Sequence, residues 1–576
     1  MMSSLPPGAL LMLGAFIVPL LKGRARQGLM LLLPLLSMAH MWMLPEGTTT
    51  VEMLSYTLEP IRVDRLSRIF GVVFHIAALV ASIYSLHVKD KVQHIAGLAY
   101  AGSAIAAAFA GDLITLFVWW EVTAFTSVFL IWARRTERAN RVGLRYLVIQ
   151  VTSGVILLAG AMFHVHETGS IAFDSMGDGQ GGIEGIGAWL ILLAFGIKAA
   201  FPLLHSWLKD AYPEATVTGT VWLATYTTKL AIYALCRGYA GTELLIPIGA
   251  AMTAFPIFFA VLENDLRRVL AYSLNNQLGF MVVGIGIGTE LAINGAVAHA
   301  FAHILYKALL FMSMGAVLYR VGTVRANELG GLYKSMPWTT FFCIIGAMSI
   351  SAFPLFSGFV SKSMTMTAAA SEHHTFAFLV LLFASAGVMD HSGIKVPFFA
   401  FFAKPHGKPK TCKEAPTNML VAMGIAAAAC IGMGIFYQPL YSLLPYQDVL
   451  HSEDFHGPYD TTHVVTQLQL LLFSAGAFVF LVKTKLYPAE LTSVNLDTDV
   501  VYKRAMPQMA NALWSTGVDL GSRMRDRAEA TVIDVVAVVR TLHSPSDGVF
   551  GTPWPSGRTA MWAAIVLVAS LLLYYS

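Results

Sequence analysis

The sequence predicts an all-α polytopic membrane protein. Of its 576 residues, 56% are hydrophobic and only 12% are charged, and the mean hydropathy is +0.64. A soluble globular protein carries about 25% charged residues, so this composition excludes that class. The apolar runs are continuous rather than alternating, which favours spanning helices of about 20 residues over the strands of a closed barrel.

Apolar runs long enough to cross a bilayer recur along the chain, and about sixteen can be counted by length. The first run has no basic region before it and no small-residue cleavage site after it, so we expect a retained helix rather than a signal peptide. The approximate centres of the runs are Gly14, Leu35, Ala78, Ala101, Val122, Gly154, Ala194, Ala224, Ala254, Gly279, Ala308, Met348, Ala384, Ile425, Ala475 and Val568.

The charges of the loops alternate along the chain. Loops after odd-numbered spans are basic, as in KGRAR, RRTERANR and KPHGKPKTCKE, whereas most intervening loops are acidic or neutral, as in HETGSIAFDSMGDGQGGIEG. The long loop after the second span, which contains Arg62 and Arg65, is mixed. By the positive-inside rule, the odd loops are expected in the cytoplasm and the N-terminus outside.

A short repeat indicates that two spans are interrupted. The sequence AFPL at 200–203 recurs at 352–355, and polar residues follow both copies. A proline removes a backbone hydrogen bond from a helix, and broken helices at matching positions of two halves indicate an ion site at the repeat interface. The expected parts are N-terminal membrane helices at 1–110, a first bundle at 111–262, a second bundle at 263–437 and a C-terminal extension at 438–576.

The extension contains a span, a polar segment from about Thr492 to Pro555 and a final span. Within the polar segment, apolar residues recur at roughly helical spacing, with Arg523, Arg525 and Arg527 on the polar side. This pattern predicts an amphipathic helix along the cytoplasmic membrane surface, with a cytoplasmic helical linker as the alternative.

Glu121 lies within DLITLFVWWEVTAFTSVFLIWA, a run that is otherwise apolar. Charged residues inside a membrane are costly and are functional by default. Lys198 precedes the break at Pro202 by about one helical turn and is the expected partner of Glu121. Moving the carboxylate away would favour proton release from this lysine, so the pair would act as a switch. A static ion pair that joins two helices is the alternative.

Other titratable residues lie in later spans. Lys229 is surrounded by threonines and a tyrosine, which could pass a proton onward, with snorkelling to the interface as the alternative. His299, His303 and Lys307 are spaced four residues apart and therefore share one helix face. Histidine titrates near neutral pH, so this stripe favours a proton relay over structural hydrogen bonding or metal binding.

Four further residues complete the set of candidates. Lys362 follows the second AFPL sequence and could be the last proton site before an exit. Lys395 precedes another proline but could simply lie near a cytoplasmic helix end. Asp112 and His205 are candidate entry or supporting residues, and Asp112 could equally cap the following helix.

No cofactor or metal site is expected. The four cysteines are scattered without CxxC spacing, which argues against iron–sulfur, zinc or haem sites in this chain. Walker, dinucleotide-binding and nucleophile-elbow motifs are absent from the sequence. The net charge of +4 carries no nucleic-acid signal. A gradient or a partner must therefore supply the energy for transport.

The chain resembles the antiporter-like membrane subunits shared by Mrp-type cation/proton antiporters, respiratory complex I and membrane-bound hydrogenases, with the D-type component of Mrp antiporters as the nearest match. The resemblance is carried by DLITLFVWWEV, GIKAAFPLLHSWLKDAYPEA, TTKLAIYAL, ENDLRRVLAYSLNNQLGF, HAFAHILYKALLF and SAFPLFSGFVSK. It implies a fourteen-helix core with two inverted five-helix repeats that form half-channels.

The resemblance also implies roles for single residues. Glu121 matches the glutamate of the fifth helix, and Lys198 matches its ion-pair partner on the broken seventh. Lys229 matches the lysine of the eighth helix, and Lys362 matches the terminal lysine of the broken twelfth. The implied central relay on the eleventh helix is His299, His303 and Lys307.

Three features depart from the family pattern. Asn275 and Asn276 stand where small or hydroxyl residues are usual, and ASAGVMDHSGIKVPFFAFF differs from the usual thirteenth helix of the D-type component. The chain also continues past the fourteenth span. This extension resembles the lateral helix and anchor of the longest complex I and hydrogenase subunits.

We therefore expect a proton-translocating subunit of a multisubunit sodium/proton antiporter in a bacterial inner membrane, acting with other membrane subunits and without a bound cofactor. The sodium ion is implied by the resemblance alone. One alternative is a proton-pumping subunit of a redox-driven complex. A second alternative is a structural membrane scaffold whose charges only fix helix packing.

Overall fold

The computed structural model of the protein is almost entirely helical. It forms two compact units, Met1–Asp497 and Thr498–Ser576. Part of the basic loop KPHGKPKTCKE lies outside the residues that the structure describes. The described residues are 5–53, 56–404, 412–451, 455–487, 490, 495, 497, 500–551 and 555–575.

The N-terminal part of the first unit contains six helices and a β-hairpin. Asp64, Asp90, Asp112 and Thr136 cap α3 to α6, because each side chain accepts a hydrogen bond from a backbone amide in the first turn of its helix. A 3₁₀ turn, Val18–Leu20, follows the first helix. The six helices are α1 (Ala9–Ile17), α2 (Gly23–Met43), α3 (Arg65–Ser85), α4 (Lys91–Ala108), α5 (Leu113–Trp132) and α6 (Glu137–Thr168).

The long loop after the second span contains two antiparallel strands that the sequence analysis did not predict. They are β1 (Gly47–Met53) and β2 (Tyr56–Val63), in a register that pairs Gly47 with Val63. β1 is mostly exposed and β2 is only partly buried, so their apolar alternation is weak beside the strong apolar signal of the neighbouring spans.

Helices α7 to α12 form the next part of the first unit. Helix α7 ends at a break around Pro202, and α8 begins after it. Helices α9 and α10 are parts of one span interrupted at Tyr226. The bounds are α7 (Gly185–Ala199), α8 (Ser206–Glu214), α9 (Gly219–Thr225), α10 (Thr227–Gly238), α11 (Leu245–Leu262) and α12 (Leu266–Ile287).

The two AFPL breaks have the same backbone conformation. Ala200 and Ala352 have φ values of 62° and 56°, and Leu203 and Leu355 have φ values of 70° and 73°. These residues are in the left-handed region, which is uncommon for residues other than glycine. The sequence repeat is therefore also a repeat in structure.

Helix α13 (Glu290–Val321) is the most buried of the long apolar helices. It packs against α3, α9, α10 and α12, and against three later helices, Pro337–Ile350, Ser357–Ser371 and Thr417–Ile435. The second break separates α14 (Pro337–Ile350) from α15 (Ser357–Ser371), and two 3₁₀ turns, Ala326–Glu328 and Leu332–Lys334, precede it. The stripe of His299, His303 and Lys307 therefore lies at the centre of the first unit.

The thirteenth predicted span is irregular. It begins as α16 (Thr375–Val388) and continues as a π-helical segment, Met389–Ile394. The short α17 (Lys395–Pro397) and a second π-helical segment, Phe398–Phe402, complete it. The stretch that departs from the family pattern in sequence thus also departs from regular α-helix.

The first unit ends with three helices and one 3₁₀ turn, Asp448–His451. Every predicted span centre lies in a helix, and nine helical stretches within the described ranges are long and apolar enough to cross a membrane. The three helices are α18 (Thr417–Ile435), α19 (Gln438–Tyr441) and α20 (Thr461–Lys483).

The second unit consists of two helices. A π-helical turn, Val501–Ala505, leads into the long α21 (Met506–Leu542), and α22 (Ser556–Tyr575) follows. Helix α21 confirms the helix predicted within the polar segment, and α22 has the length and apolar composition of a membrane span.

Candidate functional site

Glu121 lies on α5 and faces α6 at Gly154. A β-carbon on Gly154 would overlap Oε1 of the carboxylate and lie 2.6 Å from its Cδ atom. Only a glycine therefore leaves room for the carboxylate at this helix contact. Oε1 is buried and has no hydrogen-bond partner among the described residues.

Lys198 lies in the last turn of α7, and its ammonium group reaches α5. Nζ donates hydrogen bonds to the Trp120 carbonyl at 2.7 Å and to Thr123 Oγ1 at 2.8 Å, and it lies 4.2 Å from the centre of the Trp120 ring. The expected direct ion pair with Glu121 is not formed in this structure, because these groups of α5 satisfy the ammonium instead. Glu121 and Lys198 still act on each other electrostatically.

Lys229 lies just after the interruption between α9 and α10. Its Nζ donates to the Ala224 carbonyl at 2.5 Å and to Thr228 Oγ1 at 3.2 Å. The side chain is fully buried, so Lys229 does not snorkel to an interface. Beside it, Thr227 is hydrogen-bonded to the Tyr100 hydroxyl, which continues the polar surroundings.

The stripe on α13 is buried along its whole length. His299 Nδ1 is hydrogen-bonded to Ser361 Oγ at 2.9 Å, and its Nε2 lies 3.4 Å from the Tyr306 hydroxyl. Within the described part of the chain, neither ring nitrogen of His303 nor the Nζ of Lys307 has a hydrogen-bond partner. Unpaired buried polar groups are costly and occur where a function retains them.

Lys362 lies on α15, after the second break. Its Nζ donates to the Ile350 carbonyl at 3.1 Å, which is a group that the break frees, and it lies 4.8 Å from the centre of the Phe280 ring. A cavity of about 310 Å³ opens beside the lysine. The polar side chains lining this cavity include Lys362, Ser363, Asp460, Thr462, His463 and Gln467.

Five titratable side chains on α10, α13 and α15 form one electrostatic cluster. The charges of Lys229, Lys307, His299 and Lys362 all act on His303. Glu121 and Lys198, on α5 and α7, lie outside this cluster.

Asp112 acts as a helix cap. Its carboxylate accepts from the Thr115 amide at 2.7 Å and from the Thr115 hydroxyl at 2.6 Å, and it also accepts from the Glu59 amide at 2.8 Å. These bonds start α5 and attach the β-hairpin to it. The structure shows the capping role, and a role of Asp112 in proton entry stays a prediction.

His205 lies in the first break and contacts a residue far along the chain. Its Nε2 donates to Asp497 at 3.0 Å, and Lys209 Nζ lies 2.7 Å from the same carboxylate. The Tyr272 hydroxyl donates to Asp497 at 3.1 Å. Burial raises the pKa of Asp497, but the hydrogen bonds and charges of His205 and Lys209 outweigh burial and hold that pKa well below its usual range.

Lys395 is buried rather than free at a helix end. Its Nζ donates to the carbonyls of Val261 at 2.6 Å and Glu263 at 2.8 Å, at the end of α11. It also pairs with the Glu490 carboxylate at 2.8 Å. The carboxylates of Glu490 and Asp497 were not predicted as site residues, because they follow α20 in a polar stretch with no apolar run to mark them.

Two further buried residues were also missed from the sequence. His391 lies in the π-helical segment Met389–Ile394 and is fully buried, and its position inside an apolar span was a usable signal. Arg267 of α12 donates to the carbonyls of Pro213 and Ala215 at the end of α8. It therefore neutralises the negative end of the second part of the broken helix.

Comparison with known proteins agrees with this architecture. Residues 110–388 match the family model described as the NADH:quinone oxidoreductase/Mrp antiporter transmembrane region. The chain is 30% identical over 350 residues to the D-type component of the Na⁺/H⁺ antiporter of Alkalihalophilus pseudofirmus, a match that covers 58% of this chain and 70% of that protein. It is 27% identical over 413 residues to hydrogenase-4 component B of Escherichia coli, covering 64% of this chain and 61% of that one.

The fold also matches a solved structure. The Mrp complex from Dietzia sp. DQ12-45-1b contains a chain that superposes with a TM-score of 0.67 at 20% identity, covering 80% of this chain and 95% of that chain. The overall fold and the sequence therefore agree on one group of proteins. This chain is an antiporter-like membrane subunit and belongs to the NADH:quinone oxidoreductase/Mrp antiporter family.

Proposed function

We propose that this chain carries protons across a bacterial inner membrane as a subunit of a multisubunit antiporter that exchanges protons for a monovalent cation. The observation that carries the proposal is the buried stripe on α13, where His303 and Lys307 keep unpaired nitrogen atoms beside three other titratable side chains. Buried amines and imidazoles that lack protein partners are suited to taking up and releasing protons. Likeness to the Na⁺/H⁺ antiporter component supports sodium as the exchanged cation.

In this proposal the protons move along two half-channels. The first lies in 111–262 and the second in 263–437. The residues that transfer protons are Glu121, Lys198, Lys229, His299, His303, Lys307 and Lys362. The basic loops lie in the cytoplasm and the N-terminus outside.

The Glu121–Lys198 pair controls proton transfer into the series of titratable residues that begins at Lys229. In the structure Lys198 is bound by Trp120 and Thr123 rather than by the carboxylate, so this arrangement corresponds to the open pair. When the ammonium turns to Glu121, the carboxylate favours its charged form, and when it turns away the proton is released toward Lys229. The change needs only a rotation of flexible side chains.

The test uses everted vesicles that contain the complete complex. Glu121→Gln and Lys198→Ala should each lower cation-dependent proton flux at least tenfold per assembled complex, and Lys307→Ala should do the same. Glu137→Gln, which changes an exposed glutamate at the start of α6, is the matched control and should leave the flux unchanged. Wild-type flux in the first three variants would disprove the mechanism.

A second candidate is a proton-pumping subunit of a redox-driven complex, which likeness to hydrogenase-4 component B supports. The polypeptides that co-purify with the tagged chain separate the two. Iron–sulfur proteins would favour the redox complex, and small membrane subunits alone would favour the antiporter.

A further inference from the structure

A short π-helical segment inside the thirteenth span contains adjacent titratable residues. Met389–Ile394 includes Asp390 and His391, and Lys395 follows directly. π-helical turns are rare in proteins, and those that occur are often found at functional sites. None of these three residues belongs to the seven that the proposed function uses.

His391 differs from a histidine that only holds helices together. Both ring nitrogens of the buried His75 are hydrogen-bonded, Nδ1 to the Gly71 carbonyl at 2.7 Å and Nε2 to Ser37 Oγ at 2.9 Å. In His391, Nδ1 is hydrogen-bonded to Ser392 Oγ at 2.9 Å. Its buried Nε2 has no hydrogen-bond partner in the part of the chain that the structure describes. One nitrogen is therefore available for a proton.

The π-helical segment packs against the second broken helix. A β-carbon on Gly393 would overlap the Ser351 hydroxyl, so the two backbones are in close contact there. Ser351 directly follows Ile350, whose carbonyl accepts the hydrogen bond from Lys362. The π-helical segment that contains His391 thus lies beside the break that holds Lys362.

Charges surround His391 on several sides. Lys307 of α13, Lys362 of α15 and Lys395 on its own helix all act on it electrostatically. At the other end of the segment, Lys395 is bound to the end of α11 and to Glu490. The segment therefore extends from the second break to a buried ion pair beside the loop ENDLRR, one of the basic loops.

We propose that His391 is a proton-transfer residue that connects Lys307 and Lys362 with the Lys395–Glu490 pair, and thus opens the second half-channel toward the side of the basic loops. The inference rests on the proposed function, since it needs the central lysines to carry protons.

Each step moves one proton from a donor atom to an acceptor atom. The ammonium of Lys307 or Lys362 gives a proton to Nε2 of neutral His391 and becomes an amine. Lys395 first releases its ammonium proton toward the side of the basic loops and becomes an amine. The imidazolium then loses the Nδ1 proton to Ser392 Oγ, whose own hydroxyl proton moves on to this amine. Glu490 stabilises the ammonium formed again there. The neutral imidazole now carries its proton on Nε2, and a ring flip turns this N–H toward Ser392 and the bare Nδ1 toward the lysines, so that the next proton enters at Nδ1.

The test compares His391→Gln with His75→Gln in everted vesicles that contain the whole complex. Flux is measured per assembled complex, and assembly is measured by co-purification. His391→Gln should lower proton flux at least tenfold, because a glutamine keeps a polar group but cannot hold a transferred proton. His75→Gln should keep the wild-type flux.

Lys307→Ala separates a failure of this inference from a failure of the proposed function. If Lys307→Ala abolishes flux while His391→Gln retains it, this inference is overturned and the proposed function stands. If Lys307→Ala also transports normally, the proposed function itself is wrong. Should His391→Gln not assemble, Ser392→Ala removes the acceptor of the Nδ1 proton, and wild-type flux in that variant would overturn the inference equally.

Discussion

The carboxylate of Glu121 lies directly against Gly154, in the space that the β-carbon of any other residue would fill. The contact joins α5 to α6 and fixes the side of α5 on which the carboxylate can lie. The glycine at position 154 on α6 is therefore required for the carboxylate of Glu121 on α5 to lie where it does.

Gly154→Ala should displace the Glu121 carboxylate without removing its charge. We expect at least a tenfold loss of proton flux in everted vesicles, with assembly retained. Gly432→Ala is the control, because a β-carbon there meets no atom within 4 Å, and alanine in a helix is more favourable than glycine by about 1 kcal/mol. Equal flux in both variants would show that the position of the carboxylate is unimportant.

The left-handed alanine of the first break can be tested against its helical neighbour. Ala199 and Ala200 are both fully buried, but only Ala200 has a positive φ. A left-handed conformation costs an alanine about 1 kcal/mol that glycine avoids, whereas glycine inside a helix costs about 0.5–1 kcal/mol. Ala199→Gly should therefore lower the free energy of unfolding by at least 1 kcal/mol more than Ala200→Gly, measured by thermal melting in detergent. Equal losses would contradict the assigned conformation.

Asp497→Asn should destabilise the first unit by about 1.5–3 kcal/mol, because hydrogen bonds to a charged group contribute this much. The control is Asp519→Asn, which removes an exposed carboxylate paired with Arg523 and should cost at most about 0.5 kcal/mol. Melting temperatures of the two variants, purified in the same detergent, give the comparison. If Asp497→Asn lowers stability no more than Asp519→Asn does, the contacts of Asp497 do not stabilise the protein.

The same carboxylate predicts a pH dependence. Its pKa in the folded chain is lower than in the unfolded chain, so its contribution is fully present above the ordinary value of about 3.9 and is lost as pH falls toward the folded value. The stability difference between wild type and Asp497→Asn should therefore shrink only below about pH 4, as followed by melting experiments across a pH series. A difference that disappears between pH 7 and pH 5 would disprove the assignment.

Lys395 and Glu490 should respond differently to single and double replacement. Lys395→Met or Glu490→Met alone leaves one buried charge without its partner and should cost about 3–5 kcal/mol. The double variant removes both charges and should recover more than half of that loss in a thermal unfolding measurement. Additive losses would mean that the two side chains do not interact.

The membrane spans were predictable because each is a long apolar run, and every predicted span centre lies in a helix. The stripe of His299, His303 and Lys307 was predictable for a similar reason, since spacing along one helix fixes its face. The AFPL repeat indicated both breaks, and the matching φ values of Ala200 and Ala352 confirm them.

Contacts between distant parts of the chain were not predictable. Nothing in the sequence around Asp497 marks His205 as its partner, because such a contact depends on how a polar segment folds back onto the membrane helices. The binding of Lys198 to Trp120 and Thr123 was equally hidden, since opposite charges in one membrane body suggest a direct pair. The β-hairpin was missed because β1 is mostly exposed and β2 only partly buried, which leaves a weak apolar alternation.

Glu490 and Asp497 both follow α20, yet each neutralises a lysine that belongs to an earlier helix. The charge balance of the buried part of the first unit is thus divided between the bundles and the segment that comes after them. A hybrid built by exchanging bundles between related proteins would have to carry this segment along. The segment after α20 supplies carboxylates that neutralise buried lysines of the first unit, so it is not a removable module.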